Sequence, residues 1–254
     1  MDVGGLVRLL RREAAGETRD DRGSRELYAH DASIYRRLPA ATLRAAREAD
    51  LEVAVAACAR FGVPLTMRGA GTSLAGQALG NGLVVDCGGL NTIEIDPDRR
   101  TARVGPGAVL EHLNAAAAVH GLTFGPDVAT GTRATLGGMI ANNSAGARSV
   151  VHGLTADHVE ELAVVLADGR RADLRRGSPA PDSWQAARPL ANRFHGPRLL
   201  RRVSGYALDA LGGEEPSPSP EPPGCDSCRC PPPARWPWCR SPRSTPPSGR
   251  CTTC

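Results

Sequence analysis

The stretch that decides the fold is Arg68-Gly69-Ala70-Gly71-Thr72-Ser73-Leu74-Ala75-Gly76, which follows the apolar run Val63-Pro64-Leu65. That run is typical of a short buried strand, and the three glycines after it let the backbone turn sharply and approach a ligand closely. Successive N–H groups in such a turn form a concave site for an anion, to which Thr72, Ser73 and Arg68 add donors. The residues predict a loop that holds a pyrophosphate, and they leave open a plain glycine-rich turn between two strands.

Two common phosphate-binding motifs are excluded here by single positions. The Rossmann pattern needs glycines at 69, 71 and 74, but position 74 is Leu74. The Walker pattern needs Lys followed by Ser or Thr after Gly76, where the sequence has Gln77 and Ala78. Any phosphate-binding function therefore belongs to another fold.

A second glycine-rich segment, residues 125–153, carries further candidate ligand groups. Thr135 is predicted to cap a short helix that begins at Leu136, and the free N–H groups there favour a second anionic group. Gly137 and Gly138 are unfavourable in an ordinary helix and fit a flat ligand against the backbone, although a tight helix crossing is the alternative.

Four motifs occur in order along the chain: Met67 to Gln77 around the glycine loop, Gly82-Leu83-Val84-Val85-Asp86, Gly125-Pro126-Asp127, and Leu136-Gly137-Gly138-Met139-Ile140-Ala141-Asn142-Asn143-Ser144-Ala145-Gly146. Together they resemble the FAD-binding domain of the vanillyl-alcohol oxidase and p-cresol methylhydroxylase type. The sequence is most similar to the branch of bacterial D-lactate dehydrogenases and glycolate oxidases, over about residues 25 to 210.

The resemblance implies an α+β fold of two packed α/β subdomains with FAD between them. It implies hydride transfer from a small D-2-hydroxy acid to FAD, with electrons passing to a quinone, a cytochrome or another acceptor. Two alternatives stay open, a catalytically inactive flavin-binding fragment and a cell-wall precursor reductase of the same fold. Non-covalent FAD is expected, because no His stands in residues 67–76 and no Cys in residues 125–153.

The candidate cofactor-binding residues come from both segments, and no catalytic residue is identified. Asn142, Asn143 and Ser144 could bind the flavin or hold a loop, and structural roles are expected for His152 and His158. The cofactor-binding candidates are Arg68, Gly69, Ala70, Gly71, Thr72, Ser73, Pro126, Asp127, Gly137, Gly138, Asn142, Gly146 and Gly153.

The order of secondary-structure signals gives the expected organisation. Asp50 is predicted to cap a helix that Gly62 ends, and Asp168-Gly169 is a hairpin signal. Helices are also predicted at 3–12 and 109–117, and strands at 63–67, 83–86, 92–96, 101–104, 162–167 and 170–174. The expected units are an N-terminal helix and charged mobile connection (1–24, the connection at 16–23), an FAD-binding domain (25–211, as subdomains of about 25–90 and 91–211) and a tail (212–254).

The composition of the chain limits the binding partners and the cellular location that we expect for it. With 41% hydrophobic and 23% charged residues the chain suits a globular protein, and its net charge of +4 gives no reason to expect nucleic acid. No apolar stretch reaches membrane-spanning length, and Arg8, Arg11 and Arg12 follow the first apolar residues, the reverse of a signal peptide. A cytoplasmic location is expected, with peripheral membrane association left open. Cys58 and Cys87 are expected as small buried hydrophobes.

The tail differs in composition from everything before it. Residues 212–254 hold 12 of the 21 Pro and six of the 8 Cys, and they contain no Val, Ile or Leu, so disorder is expected. The family resemblance leads us to expect a closing segment and a cap domain instead, and we interpret the tail as a shifted reading frame. On that interpretation the chain binds FAD weakly and oxidises D-lactate negligibly. Cys225-x2-Cys228 and Cys251-x2-Cys254 have zinc-ligand spacing, but no surrounding strand pattern supports a metal site.

Overall fold

The computed structural model describes residues 1–175, 188–191 and 239–240. A four-stranded sheet organises the N-terminal part, with strand order β1-β2-β4-β3. Strands β2, β4 and β3 are parallel, and β1 pairs antiparallel with β2. Their bounds are Glu17–Arg19 for β1, Ala41–Arg44 for β2, Leu65–Arg68 for β3 and Leu83–Asp86 for β4.

Two helices cover this sheet and complete its core. Helix α1, Val3–Glu13, buries Leu6, Val7 and Leu10, and helix α3, Ala49–Phe61, connects β2 to β3. Between α1 and α3 in the sequence lies the short helix α2, Arg22–Leu27. Helix α3 ends at Gly62, whose φ of 62° is a left-handed conformation that suits glycine. The strand–helix–strand unit predicted around residues 50–67 is therefore present.

A second hydrophobic cluster forms from the residues that follow. Strands β5, Ile93–Asp96, and β6, Thr101–Val104, form an antiparallel hairpin that packs against helix α4, Leu110–Ala118. Strand β7, Leu122–Thr123, and helix α5, Leu136–Ala141, complete the cluster. The two clusters meet where Gly69 approaches Thr135, because a Cβ at Gly69 would lie 2.2 Å from the Thr135 hydroxyl oxygen.

The remaining described elements are short. Helix α6 is Ser149–His152, a 3₁₀ turn is Thr155–His158, and strands β8, Glu161–Val165, and β9, Arg171–Arg175, form the hairpin predicted at Asp168-Gly169. Helix α7 is Arg188–Ala191, and the two-residue strand β10, Cys239–Arg240, pairs antiparallel with β7. No helix in these described ranges has both the length and the apolar character to cross a bilayer.

Two expectations differ from the structure. The charged connection at residues 16–23 contains strand β1, because the backbone of Glu17–Arg19 pairs with β2 despite its polar side chains. In the tail only Cys239 and Arg240 are described, and their backbone pairs with β7; the expected disorder concerns residues that lie outside the described ranges.

Asp50 is the second difference, because it does not cap α3. Glu48 occupies the N-cap position without a side-chain hydrogen bond, and Asp50 lies within the first turn of the helix. The Asp50 carboxylate is fully buried and accepts hydrogen bonds from the N–H groups of Ala15, Gly16, Ala46 and Arg47 at 2.9 to 3.2 Å. It therefore ties two separate stretches of backbone, residues 15–16 and 46–47, to the start of α3.

Candidate functional site

The glycine loop begins where the parallel strands β3 and β4 end, with Arg68 directly opposite Asp86. The N–H groups of the five residues 69–73 donate no hydrogen bond to any described part of the chain. Gly71 has a φ of 67°, and its carbonyl accepts a hydrogen bond of 2.9 Å from the N–H of Ala32. The loop is held from its carbonyl side, and its consecutive donors remain available to an anion.

A cavity of about 470 Å³ lies beside this loop. Of the cofactor-binding candidates predicted from sequence, Arg68, Gly69 and Ala70 line it, and the other ten do not. The full lining is Leu27, Tyr28, Arg68, Gly69, Ala70, Asp86, Gly88, Asn91, Gly107, Val109, His112, Arg133 and Thr135. The wall therefore includes the last residues of β3 and β4, Arg68 and Asp86, together with His112 of α4 and residues next to the second cluster.

Arg68, which was expected to donate to a phosphate, makes several contacts within the protein itself. Its guanidinium donates to the carbonyl of His30 at 2.8 Å and to that of Tyr28 at 3.4 Å, and it lies 5.4 Å above the Tyr28 ring. Two of its donors are thus directed at the protein's own backbone.

Tyr28 and Asp86 form a hydrogen-bonded pair in the cavity wall. The Tyr28 hydroxyl donates to Asp86 Oδ2 at 2.7 Å, and the N–H of Gly88 donates to Asp86 Oδ1 at 2.7 Å. Burial, followed by the hydrogen bond and the negative charge of Asp86, raises the pKa of Tyr28 to about 12. The phenol therefore stays protonated near neutral pH.

The guanidinium of Arg133 and the imidazole of His112 line the same cavity. Both side chains are exposed, and neither makes a hydrogen bond or ion pair within the described ranges. Sequence reasoning did not identify these two residues or Asn91, because they belong to separate elements and match no local motif. Only the fold brings them to the glycine loop.

The start of helix α5 does not offer the free donors that the sequence predicted. The N–H of Leu136 donates to the carbonyl of Ala108 at 2.8 Å, and that of Gly137 to the carbonyl of Pro106 at 2.9 Å. Thr135 is the predicted cap and accepts from the N–H of Gly138 at 3.4 Å. Because the chain itself satisfies these groups, this helix start is not an open anion site.

The glycines of this segment fit neighbouring protein atoms closely. A Cβ at Gly137 would lie 2.7 Å from Pro106 Cβ, and one at Gly146 would lie 1.8 Å from the Asp127 carbonyl oxygen. Gly153 has a φ of 77° and faces the carboxylate of Asp157. The protein's own packing therefore requires these three glycines, although Gly138 would meet only the Thr135 hydroxyl, at 3.2 Å.

The polar candidates after α5 hold the chain in place. Asn142 Nδ2 donates to the carbonyl of Gly138 at 3.0 Å, and Asn143 Oδ1 accepts from the N–H of Ala156 at 2.9 Å. The Ser144 carbonyl accepts from the Thr155 hydroxyl at 2.7 Å. Asn143 and Ser144 thus match the loop-holding alternative.

Two further candidates, Pro126 and Asp127, do not line the cavity, and neither do His152 and His158, for which structural roles were expected. Pro126 is fully buried, and Asp127 is exposed with Arg148 at 3.9 Å. His158 Nε2 lies 2.6 Å from the carbonyl oxygen of His152, and its ring packs 5.2 Å from that of Phe124. These contacts bind the 125–158 region together.

The two cysteines of the described core are buried, as expected. Burial raises the pKa of each thiol, Cys58 and Cys87, to about 11. Both therefore remain protonated and serve as small apolar side chains.

Comparison with known proteins gives this geometry a context. A D-2-hydroxyglutarate dehydrogenase of Pseudomonas putida is 38% identical over 224 residues, covering 79% of this chain and 22% of the relative. A D-lactate dehydrogenase of Archaeoglobus fulgidus is 43% identical over 110 residues, covering 42% of this chain and 25% of the relative. The chain thus spans a quarter or less of the length of these relatives.

Structural comparison points the same way. Xylooligosaccharide oxidase from Myceliophthora thermophila, solved in complex with xylobiose, aligns with a TM-score of 0.60 at 25% identity, over 68% of this chain and 37% of that chain. Residues 39–175 match the family described as FAD binding domain. Because this match covers more than half of its residues, the chain belongs to the FAD-binding domain family, and FAD is its cofactor.

Proposed function

We propose that this chain is the FAD-binding part of a flavin-dependent dehydrogenase that acts on a small D-2-hydroxy acid, such as lactate, glycolate or 2-hydroxyglutarate. The names of the two relatives support this substrate class. Oxidation of such an acid yields the 2-oxo acid, and the electrons pass on to a quinone, a cytochrome or another acceptor. The chemistry that bound FAD supplies is acceptance of the hydride from C2 of the acid.

The observation that carries the proposal is the run of five N–H groups at residues 69–73 that donate no hydrogen bond within the described residues; Gly69 and Ala70 of this run line the cavity. An FAD diphosphate is an anion that such a run can bind without any charged side chain. Arg133 and His112 lie in the same cavity wall and can contribute charge and hydrogen bonds to it. These residues therefore fit the diphosphate of the cofactor.

Contacts to the rest of FAD are proposed from the family resemblance alone. They involve Pro126, Asp127, Gly137, Gly138, Asn142, Gly146 and Gly153. The absence of His from residues 67–76 supports non-covalent attachment.

The second candidate function is a chain that binds flavin but does not turn over substrate. The protonation of Tyr28 and the hydrogen bonds of Asp86 in the cavity wall favour it. Tyr28 has a pKa of about 12, and both Asp86 oxygens accept hydrogen bonds. The Tyr28 hydroxyl is therefore not suited to take the hydroxyl proton of a substrate near neutral pH.

Denaturing the purified chain and identifying the released flavin tests the cofactor assignment. We expect intact FAD, released without proteolysis, and recovery of FMN or a nicotinamide nucleotide alone would contradict it. Anaerobic addition of D-lactate, glycolate or D-2-hydroxyglutarate to the FAD-loaded chain then tests the substrate class. Bleaching of the flavin absorbance by one of these acids supports the dehydrogenase, whereas bound FAD that none of them bleaches supports the second candidate.

A further inference from the structure

Residues 28–32, here called the N-terminal clasp, precede the region matched by the family, which begins at residue 39. They nevertheless contact the glycine loop at Gly71 and the residue that precedes the loop, Arg68. The N–H of Ala32 donates to the Gly71 carbonyl at 2.9 Å, and the carbonyl of His30 accepts from Arg68 at 2.8 Å. The clasp therefore bonds to the loop and to the last residue of β3.

Tyr28 links the clasp to the neighbouring strand as well. Its hydroxyl donates to Asp86, the last residue of β4, at 2.7 Å, and its carbonyl accepts from Arg68, the last residue of β3, at 3.4 Å. Its half-buried ring also lies under the Arg68 guanidinium at 5.4 Å. One residue thus connects the two strand ends between which the cavity opens.

These outside contacts add to the few bonds that the glycine loop makes within itself, such as that from the N–H of Ala75 to Ser73 Oγ at 3.3 Å. The N–H groups of residues 69–73 make no hydrogen bonds within the described chain, so the loop receives no order from them. The hydrogen bonds from the clasp use the Arg68 side chain and the Gly71 carbonyl, and they leave those N–H groups available. An anion site held in its binding arrangement beforehand loses less entropy when the ligand binds.

We propose that Tyr28, through its hydroxyl bond to Asp86, is a positioning residue that holds the glycine loop ready for the FAD diphosphate. The inference rests on the proposed role of residues 69–73 in binding FAD. It adds a determinant of cofactor affinity that lies outside the matched family region.

The test compares Tyr28→Phe with Tyr35→Phe in the full chain. Both remove a phenol hydroxyl from the same stretch, but Tyr35 is 58% exposed and its hydroxyl has no partner in the described residues. We expect Tyr28→Phe to weaken the binding of both FAD and ADP about tenfold, since a hydrogen bond to a charged acceptor is lost. Tyr35→Phe should change neither affinity.

Three readouts separate positioning from a general loss of stability. The unliganded Tm of Tyr28→Phe should fall by no more than about 4 °C, so the chain remains folded in the binding assay. Asp86→Asn added to Tyr28→Phe should cost little beyond the first change, because the two residues act as a pair. In ¹H–¹⁵N spectra without ligand, Tyr28→Phe should shift the amide signals of residues 69–73, and Tyr35→Phe should not.

Failure of the inference and failure of the proposed site give different results. If the wild-type chain binds no FAD, the proposed site is wrong, and the unliganded spectra still decide whether Tyr28 orders the loop. If the wild type binds FAD, then equal affinities for Tyr28→Phe and the wild type, additive effects with Asp86→Asn, or unchanged amide signals would each overturn the inference.

Discussion

The glycine loop at residues 69–73 and the start of helix α5 at residues 136–138 are both rich in glycine but have opposite hydrogen-bonding states. Both were expected to present free N–H groups to an anion. In the loop those groups have no partner in the described chain, whereas at α5 the chain provides one for each. Glycine content alone therefore does not identify an anion site; the partners of the N–H groups do.

At Asp50 several backbone N–H groups converge on an anion that belongs to the protein itself, the Asp50 carboxylate. Its carboxylate accepts from the N–H groups of Ala15, Gly16, Ala46 and Arg47 while fully buried. In Asp50→Asn the side-chain NH₂ group would face the backbone N–H groups that now donate to the carboxylate. Because donors would then face donors, we expect a loss of about 3 kcal/mol in the free energy of unfolding. Chemical denaturation measures it.

The same residue predicts a pH dependence. Burial by itself raises the pKa of Asp50, but the hydrogen bonds from the backbone of Ala46, Ala15 and Arg47 outweigh it and leave the pKa below its usual value. The contribution of Asp50 is therefore fully present above the usual carboxyl range and is lost as the pH falls through the lowered pKa. Asp50→Asn should remove this part of the acid sensitivity, while Asp98→Asn, an exposed control, should leave it unchanged.

Gly71→Val is the substitution that most clearly tests, through FAD affinity, whether the glycine loop and not α5 binds the diphosphate. Gly71 has a φ of 67°, and a Cβ there would lie 2.6 Å from the Arg68 guanidinium. We expect FAD affinity to fall about 100-fold while the fold survives, because a β-branched residue is strained at positive φ. Gly62→Val is the matched control, since Gly62 has a φ of 62° with nothing within 4 Å and lies outside the site. If Gly71→Val retains FAD, the loop does not hold the diphosphate.

Gly137→Ala tests whether protein packing explains the glycine at α5. Its Cβ would lie 2.7 Å from Pro106 Cβ and 2.8 Å from the Pro106 carbonyl oxygen, and such overpacking should cost about 2 kcal/mol of stability. Gly138→Ala meets only a side-chain hydroxyl and gains helix propensity, so its stability should change little. Loss of FAD affinity in Gly137→Ala with stability unchanged would instead make α5 the anion site.

Arg133→Ala should have the smallest effect of the four substitutions. An exposed charge-assisted contact to the diphosphate predicts a fall of about fivefold in FAD affinity, and less at high salt. Arg8→Ala removes the same charge from the exposed face of α1 and is the control. Equal effects of the two variants at every salt concentration would place Arg133 outside the site.

The elements that sequence predicted well are those with a local cause. Leu83-Val84-Val85 is an apolar run, and it forms β4 at the predicted bounds. Strand β1 was missed because Glu17-Thr18-Arg19 carries no such signal and is a strand only through its pairing with β2. His112 and Arg133 were missed for the same reason, since their approach to the cavity depends on how separate elements pack.

Hydrogen exchange of individual backbone amides, with and without FAD, shows which of the two segments binds the FAD diphosphate. Without FAD, the amides of residues 69–73 should exchange fast, and those of Leu136 and Gly137 should be protected. Adding FAD should slow exchange at residues 69–73 by at least about tenfold, because bonded amides exchange only through opening, and should leave Leu136 and Gly137 as they were. New protection at Leu136 and Gly137, with residues 69–73 unchanged, would contradict the account.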